Sequence, residues 1–136
     1  MPNDYNRTII ETYRANHGDV SSVWQGGPLV LVNTIGAKSG KVRTIPLAYR
    51  QRDNRVYIVG SGGGSERHPA WYHNLLANPE ITYELGNGPI DARATLLTGQ
   101  EREAAWREIV AALPFFADYE TRVSRELPVF ELAPAS

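Results

Sequence analysis

The sequence predicts a mainly β (α+β) domain in which a six-stranded antiparallel sheet curls into a barrel, flanked by three to four helices. Short β-branched runs are separated by turn-forming residues, which indicates hairpins. Helical periodicity is confined to the two ends of the chain and to two insertions. Parallel strands would require a crossover between each strand and the next. The pattern therefore favours a barrel or a strongly curled antiparallel sheet.

The composition is that of one ordinary globular domain of 136 residues, with 42% hydrophobic and 21% charged residues. We expect residues 1–136 to form a single domain, with an N-terminal helix and loop over residues 1–27. The net charge of −1 argues against a general nucleic-acid binder, and the lack of cysteine excludes disulfides and thiolate metal sites. No run approaches the roughly 18–20 apolar residues of a membrane span, and no apolar signal core opens the chain. We expect a cytoplasmic protein.

The first predicted element is an amphipathic helix over residues 5–17, which Gly18 ends. The apolar residues of its one face are Tyr5, Ile9, Ile10 and Tyr13. This stripe is typical of a helix that docks on a core. Because Arg7 and Arg14 accompany it, the alternative is a mobile lid, or a helix that contacts the inner face of the plasma membrane peripherally.

The strands follow from short apolar or alternating runs. They are predicted over residues 29–35, 44–50, 55–59, 81–85, 90–97 and 128–132. Pro46 places the second strand at a sheet edge or a bulge, because proline cannot donate a ladder hydrogen bond. The turn at residues 86–89 (Gly-Asn-Gly-Pro) joins the fourth and fifth strands as a hairpin.

Three further helical segments are predicted between and after these strands. One follows Pro69 and ends before the Asn-Pro pair at residues 78–79. A second starts at a capping box formed by Thr98 and Glu101 and ends at Pro114. A short aromatic segment over residues 115–125 is the third.

A cation-rich turn over residues 36–44 is the first functional motif. Within seven residues it combines Lys38, Ser39, Lys41, Arg43 and Thr44. Arginine can grip a phosphate or carboxylate with two hydrogen bonds, and lysine adds a point charge. The alternative is a solvated hairpin turn. A nucleotide P-loop is not favoured, because the glycine spacing is one residue short and Val42 replaces the required Ser or Thr.

A glycine-rich loop over residues 60–69 is the second motif, and it opens the helix that begins Ala70-Trp71-Tyr72. Glycine lets backbone approach a flat ring closely, and a helix N-terminus offers unpaired N–H groups. Ser61 lies where the third strand ends, so its hydroxyl can face a ligand. A flexible connector is the alternative, and the aromatic pair is also typical of core packing. Together the two motifs predict a ligand with a planar ring and a polyanionic tail.

The three histidines do not have a metal-ligand spacing, and no carboxylate completes a triad with them. They are His17, His68 and His73. We therefore predict no metal site. A serine hydrolase is equally unsupported, because the chain has no nucleophile-elbow sequence.

Three ordered segments, at residues 36–47, 59–63 and 68–75, resemble those of the deazaflavin-dependent nitroreductase family, small actinobacterial proteins that bind coenzyme F420. The resemblance runs from about Val30 to the C-terminus. It implies a split β-barrel of the flavin-reductase type.

The resemblance also implies the cofactor-binding residues. The phosphate and the anionic tail are expected on the segment of Ala37, Lys38, Ser39, Arg43 and Thr44. The deazaflavin ring is expected on Ile45, Pro46, Leu47, Ala48, Val59, Gly60, Ser61 and Gly62. The site is expected to be closed from the helix side by Ala70, Trp71, Tyr72, His73 and Asn74.

This chain departs from the family pattern at two places. Gly62 stands where the best-known members have a lysine after the ring-side serine. Those members also place several tyrosines on the substrate side, where this chain has one phenol, Tyr119, beside Phe115 and Phe116. We expect Phe116 and Tyr119 to bind the substrate, and the departures put nitro-compound reduction in question.

The function implied is transfer of a hydride from reduced F420 to a small-molecule acceptor such as a quinone, an enone or a nitroaromatic. Ser61 or Tyr119 would stabilise or protonate the product as negative charge develops on it. Two alternatives stay open: a barrel that binds FMN, and a non-catalytic carrier of the deazaflavin. No nucleic-acid partner is expected.

Overall fold

A computed structural model describes residues 4–25, 27–62 and 64–135 of the chain, with side chains from residue 6 onward. The helices are Asp4–Ala15 (α1), Ala70–Ala77 (α2), Gly99–Ala112 (α3) and Phe115–Arg122 (α4). The strands are Leu29–Ile35 (β1), Val42–Ala48 (β2), Arg50–Arg52 (β3), Arg55–Val59 (β4), Glu80–Glu84 (β5), Pro89–Leu96 (β6) and Val129–Pro134 (β7). The side chain of Tyr5, predicted on the apolar face of α1, lies outside the described residues.

The strands form one antiparallel sheet in the order β2-β1-β5-β6-β7-β4-β3. Its two edge strands, β2 and β3, are separated in the chain by Tyr49 alone. The sheet must therefore curl until its edges meet, which confirms the predicted curled antiparallel architecture. The predicted strand over residues 44–50 is divided at Tyr49, so the described residues contain seven strands, where six were predicted.

Pro46 lies on the edge strand β2, opposite Leu31 of β1. Because β2 pairs on one side only, its outer edge needs no ladder donor, and proline is tolerated there. The prediction of an edge position is confirmed.

The main core fills the inside of the curled sheet. Its buried residues include Val30, Val32, Val56, Ile58, Phe130 and Leu132, with Trp71 and Leu75 from α2 closing it. The alternate residues of β1, Leu29 and Leu31, are buried against α1. Burial on both faces explains why the first four residues of this strand form a continuous apolar run.

A second core lies outside the sheet, where α3 and α4 cover β4 and β7. It is built from residues that include Tyr57, Val59, Trp106, Ile109, Phe116 and Val129. The predicted capping box at the start of α3 is wrong, because Thr98 occupies the N-cap position without a side-chain cap hydrogen bond. Gly99 has a φ of +58°, so the first turn departs from the helical geometry that a capping box requires.

The apolar stripe of α1 faces the barrel: Ile9 and Tyr13 are each 2% exposed. The Tyr13 hydroxyl lies 2.9 Å from the carbonyl oxygens of Leu29 and Glu84 and can donate to either. The predicted docking helix is thereby confirmed. None of the helices in the described ranges is both long and apolar enough to cross a bilayer.

Candidate functional site

A cavity of about 390 Å³ opens between the end of β2, the end of β4 and helix α4. Its lining residues are Trp24, Leu29, Pro46, Leu47, Ala48, Val59, Ser61, Phe115, Phe116 and Tyr119. None of these side chains is charged, and the volume lies in the range of small-molecule sites. The fold therefore brings predicted ring-binding residues from two separate segments together with the two predicted substrate-binding residues, Phe116 and Tyr119.

The glycine loop reaches this cavity at its first residues. The Gly60 N–H donates to the Pro128 carbonyl oxygen at 2.8 Å, and a Cβ built on Gly60 would lie 2.7 Å from Pro128 Cγ. Only glycine fits this contact without a shift of the backbone. Gly64, with a φ of +88°, packs against the Tyr119 ring, where a Cβ would lie 3.3 Å from Cδ1. The loop thus joins the Ser61 side of the cavity to the Tyr119 side.

The cation-rich turn lies at the opposite end of β2. Its fold depends on a Gly36 N–H bond to the Lys41 carbonyl oxygen at 2.8 Å and on the Ser39 hydroxyl, which accepts from the Lys41 N–H at 3.2 Å. Lys38 and Arg43 are exposed, and neither forms an ion pair with any described residue. These cations are available to an anionic ligand.

Two asparagines of the α2 region fasten this turn to the barrel. The Ala37 N–H donates to Oδ1 of buried Asn74 at 3.0 Å, and Asn78 Nδ2 donates to the Ile35 carbonyl oxygen at 3.2 Å. The hydrogen-bonding groups of Ala37 and Asn74 are therefore used for each other. This bond fixes the turn to α2.

One strand spans the distance between the turn and the cavity. Arg43 and Leu47 are four residues apart on β2, which corresponds to about 13 Å along an extended chain. Ile45, between them, packs against the main core. A ligand lying along this strand would have its anionic end at the turn and its apolar end in the cavity.

Thr44 is placed apart from the cavity. Its hydroxyl donates to Asn33 Oδ1 at 2.6 Å and lies 3.5 Å from Arg14 Nη2, in a separate groove of about 1010 Å³ on the sheet. Successive strand residues point to opposite faces, so Thr44 and Arg43 do not face the same side. This alternation argues against Thr44 and Arg43 binding the same anion.

The predicted residues of α2 have different environments. Trp71 is 6% exposed and packs in the main core, with its ring 5.9 Å from that of Phe130, so its side chain has no surface for a ligand. Ala70 and His73 are exposed. Tyr72 stacks on His68 with ring centroids 4.0 Å apart and an angle of 21°.

Three cavity residues were not predicted as site residues: Trp24, Leu29 and Phe115. Trp24 comes from the loop before β1, where its indole N–H donates to the Gly27 carbonyl oxygen at 3.0 Å, and Leu29 is the first residue of β1. A tryptophan in a Gly-Pro loop is a signal that could have found the first. Among the described residues, no group of three His, Asp or Glu side chains comes together as metal ligands do.

A family model described as F420H(2)-dependent quinone reductase matches residues 5–134. The chain belongs to the F420H(2)-dependent quinone reductase family. Its members are oxidoreductases that depend on F420, which confirms the predicted enzyme class and cofactor.

Curated relatives agree with this assignment. The chain is 32% identical over 126 residues to an F420H(2)-dependent quinone reductase of Mycobacterium tuberculosis strain H37Rv, a match covering 88% of this chain and 83% of that protein. It is 33% identical over 107 residues to a second protein of that strain, named as a putative F420H(2)-dependent quinone reductase, covering 79% and 90%. Both are actinobacterial, as the resemblance implied.

Solved structures confirm the fold. An F420-H2 dependent reductase (FDR-A) has a TM-score of 0.72 and 42% identity, covering 77% of this chain and 93% of that chain. A domain-swapped dimer has a TM-score of 0.74 and 38% identity, covering 93% and 95%. The heme storage protein HutZ of Vibrio cholerae, with a TM-score of 0.61 and 11% identity, covering 93% and 88%, shares the fold alone.

Proposed function

We propose that this protein transfers a hydride from reduced F420 to a quinone in the cavity between β2, β4 and α4. The observation that supports this most directly is the arrangement along β2, which leads from the free cations of the turn to an uncharged cavity. That arrangement matches a cofactor with an anionic tail and a planar ring. FMN, which has one phosphate close to its ring system, would leave most of the strand unused.

The residues of the chain fit F420 in size and chemistry. Lys38 and Arg43 would hold the anionic tail by charge-assisted hydrogen bonds. Pro46, Leu47 and Ala48 would form an apolar wall for the ring, and Val59 and Ser61 line the cavity from the end of β4. Reduced F420, when bound, supplies the hydride from a ring carbon.

The acceptor end of the cavity offers two hydroxyl groups, from Ser61 and Tyr119. When a quinone accepts a hydride, negative charge develops on its oxygen, and a hydroxyl within reach donates a hydrogen bond to that oxygen. We assign this role to Ser61. Tyr119 donates the proton that completes the hydroquinone and recovers one from solvent. Phe116, 5% exposed, forms the apolar side of the acceptor site.

The test of cofactor and activity is a titration of purified protein with F420 and with FMN, followed by oxidation of reduced F420 in the presence of menadione. We expect tight binding of F420, weak binding of FMN and steady menadione-dependent turnover. Preferential binding of FMN would contradict the cofactor assignment. F420 binding without turnover with any quinone would favour a carrier instead.

The test of the anion site is Arg43→Ala, with Arg107→Ala as the control. Arg107 is exposed on α3, away from the cavity lining. We expect Arg43→Ala to weaken F420 binding by about 1–3 kcal/mol, roughly 5- to 150-fold in Kd, because a charge-assisted hydrogen bond is lost. An unchanged Kd for Arg43→Ala would remove this residue from the site.

The peripheral membrane contact predicted through α1 is retained only as a proposal. The buried stripe of Ile9, Ile10 and Tyr13 would have to leave the barrel before it could enter a bilayer. Flotation of the protein with vesicles of anionic lipid tests the contact. Because this stripe is buried, we do not expect α1 to bind the vesicles. Flotation of the protein would then indicate that a different surface contacts the lipid.

A further inference from the structure

One side chain outside the predicted site fastens the glycine loop. Arg125 follows α4, and its guanidinium makes three hydrogen bonds to the loop. Nη2 donates to the Ser61 carbonyl oxygen and Nε to the Ser65 carbonyl oxygen, both at 3.1 Å. Nη1 lies 3.1 Å from Nδ1 of His68, which accepts, because guanidinium nitrogens only donate. One planar group therefore holds the first and last parts of the loop at once.

A second contact joins the same two segments, again with the segment after α4 as the donor. The Glu66 carboxylate, on the loop, accepts from the Ser124 N–H and from the Ser124 hydroxyl, both at 3.0 Å to Oε1. Gly62 has a φ of +56°, and a Cβ there would lie 3.7 Å from Arg125 Nη2. The loop is therefore folded closely around the guanidinium.

We propose that Arg125 is a positioning residue of the reaction, which holds the Ser61 backbone so that the Ser61 side chain lies at the wall of the cavity. This inference rests on the proposed function. Ser61 is the loop residue that both lines the cavity and accepts from Arg125. A displacement of about 1 Å at a reacting group can cost on the order of 100-fold in rate. Loss of Arg125 should therefore lower turnover more than substrate binding.

The bond to His68 adds a dependence on pH. Burial lowers the pKa of His68 below its ordinary value of 6.5, and the charges of Arg125 and His73 lower it further. Glu126 lines the small cavity beside His68, and Tyr72 stacks on the ring. Above pH 6.5 the ring is neutral and Nδ1 accepts from Arg125. As the pH falls through the pKa of His68, Nδ1 takes up a proton and this bond is lost.

The experiment compares kcat and KM for menadione at saturating reduced F420 and pH 7.5. The variants are Arg125→Ala, Arg125→Lys and, as the control for loss of an arginine, Arg107→Ala. For Arg125→Ala we expect kcat to fall by about tenfold or more and KM for menadione to change less than about threefold. Arg125→Lys retains one donor and the charge and should be intermediate, and Arg107→Ala should match the wild type.

Two further readouts separate positioning from a structural role. The pKa of His68, followed by NMR, should rise in Arg125→Ala and stay low in Arg125→Lys, because only the first variant removes the cation. A lower melting temperature of Arg125→Ala with an unchanged kcat would overturn the proposal. If Arg125→Ala does not fold, Arg125→Lys decides: a wild-type kcat overturns the proposal, and a reduced kcat at a near-wild-type melting temperature supports it.

Failure of this proposal can be told apart from failure of the function on which it rests. Wild-type protein that does not oxidise reduced F420 with menadione would overturn the proposed function, and the role of Arg125 with it. An active wild type whose turnover is unaffected by Arg125→Ala would overturn the role of Arg125 alone.

Discussion

Gly60 directly follows β4 and packs closely against Pro128, which precedes β7. The steric argument is local: a Cβ on this residue would lie 2.7 Å from Pro128 Cγ, a distance that real Cβ contacts essentially never show. Pro128 is buried and cannot move outward freely. Glycine at this position thus sets the path of the backbone that leads into Ser61.

We expect Gly60→Ala to destabilise the fold by about 1–3 kcal/mol, since overpacking outweighs the roughly 0.4–1 kcal/mol that alanine gains by restricting the unfolded chain. The measurement is urea unfolding. Pro128→Ala removes the clashing atom, so the double variant Gly60→Ala/Pro128→Ala should be less destabilised than the sum of the two single variants. Strict additivity would show that the contact with Pro128 is not the cause.

The two hydroxyls of the cavity allow a second prediction for single residues. Tyr119→Phe removes the proposed proton donor and retains the ring, so we expect kcat for menadione to fall by about ten- to one hundredfold with KM little changed. Thr121→Val is the control, because it removes a hydroxyl from the same helix that bonds only to the Asp118 carbonyl oxygen. Equal turnover of wild type and Tyr119→Phe would remove Tyr119 from the reaction.

Among the secondary-structure elements, α1 is joined to the sheet by an ion pair as well as by its apolar stripe. Arg14 donates from Nη2 to Glu84 Oε2 at 2.7 Å and from Nε to Oε1 at 3.2 Å. Asn33 Nδ2 donates to Glu84 Oε2 at 3.0 Å. The Glu84 side chain is 8% exposed and that of Arg14 48%, so the carboxylate depends on these partners more than the guanidinium does.

The hydrogen bond from Arg14 is the largest effect that lowers the pKa of Glu84 below its ordinary value of 4.5. A carboxylate with a lower pKa in the folded state stabilises the fold above the unfolded pKa, and this contribution is lost as the pH falls through the folded pKa. We expect Glu84→Gln to reduce the free energy of unfolding at pH 7 by about 1–2 kcal/mol. The reduction is limited because the Arg14 side chain is partly exposed and solvent screens its charge.

The difference between Glu84→Gln and the wild type should shrink as the pH falls below 4.5, because the wild-type carboxylate is protonated once the pH passes through its lowered pKa. Glu80→Gln is the matched control on the same strand, where the carboxylate is 84% exposed and pairs loosely with Arg93 at 3.5 Å. A difference for Glu84→Gln that does not vary with pH would contradict the ion-pair account.

The elements that the sequence predicted well are those whose signal is local. The predicted strand over residues 29–35 coincides with β1, whose first four residues are apolar because they are buried on both faces. The division of the second strand at Tyr49 was missed, because that bend results from closure of the sheet. Periodicity also could not show that Trp71 turns into the core while its neighbour Tyr72 stacks on His68.

For the molecule as a whole, the sequence motifs indicate the segments of the candidate site but not the contacts that hold those segments together. Lys38, Arg43, Pro46 and Ser61 belong to motifs that are local in the chain. Arg125 contacts Ser61 across 64 positions of sequence, and nothing in the sequence around it distinguishes it from an ordinary surface arginine. Such contacts are created by the barrel, which brings the β4 end and the α4 end to one edge of the cavity.

The cation-rich turn lies at one end of β2 and the uncharged cavity at the other. This separation leads to a prediction for the whole binding surface. A deazaflavin that lacks the anionic tail should bind the cavity but gain nothing from Lys38 and Arg43. We expect F420 to bind more tightly than this tail-less analogue at low salt. The advantage should decrease several-fold as ionic strength rises from about 0.05 M to 0.5 M, because exposed cations are screened over a shorter distance.

Arg43→Ala should reduce the salt dependence for F420, with Lys38 supplying what remains, and leave the Kd of the tail-less analogue unchanged. Fluorescence titrations of both ligands at both salt concentrations, with Arg107→Ala as the control, measure the four quantities required. If Arg43→Ala weakens both ligands equally, the arginine contacts the ring or supports the fold, and the separation of an anionic end from an apolar end along β2 is wrong. If it weakens only F420, Arg43 contacts the anionic tail, and the ring binds at a separate part of the surface, as the arrangement along β2 requires.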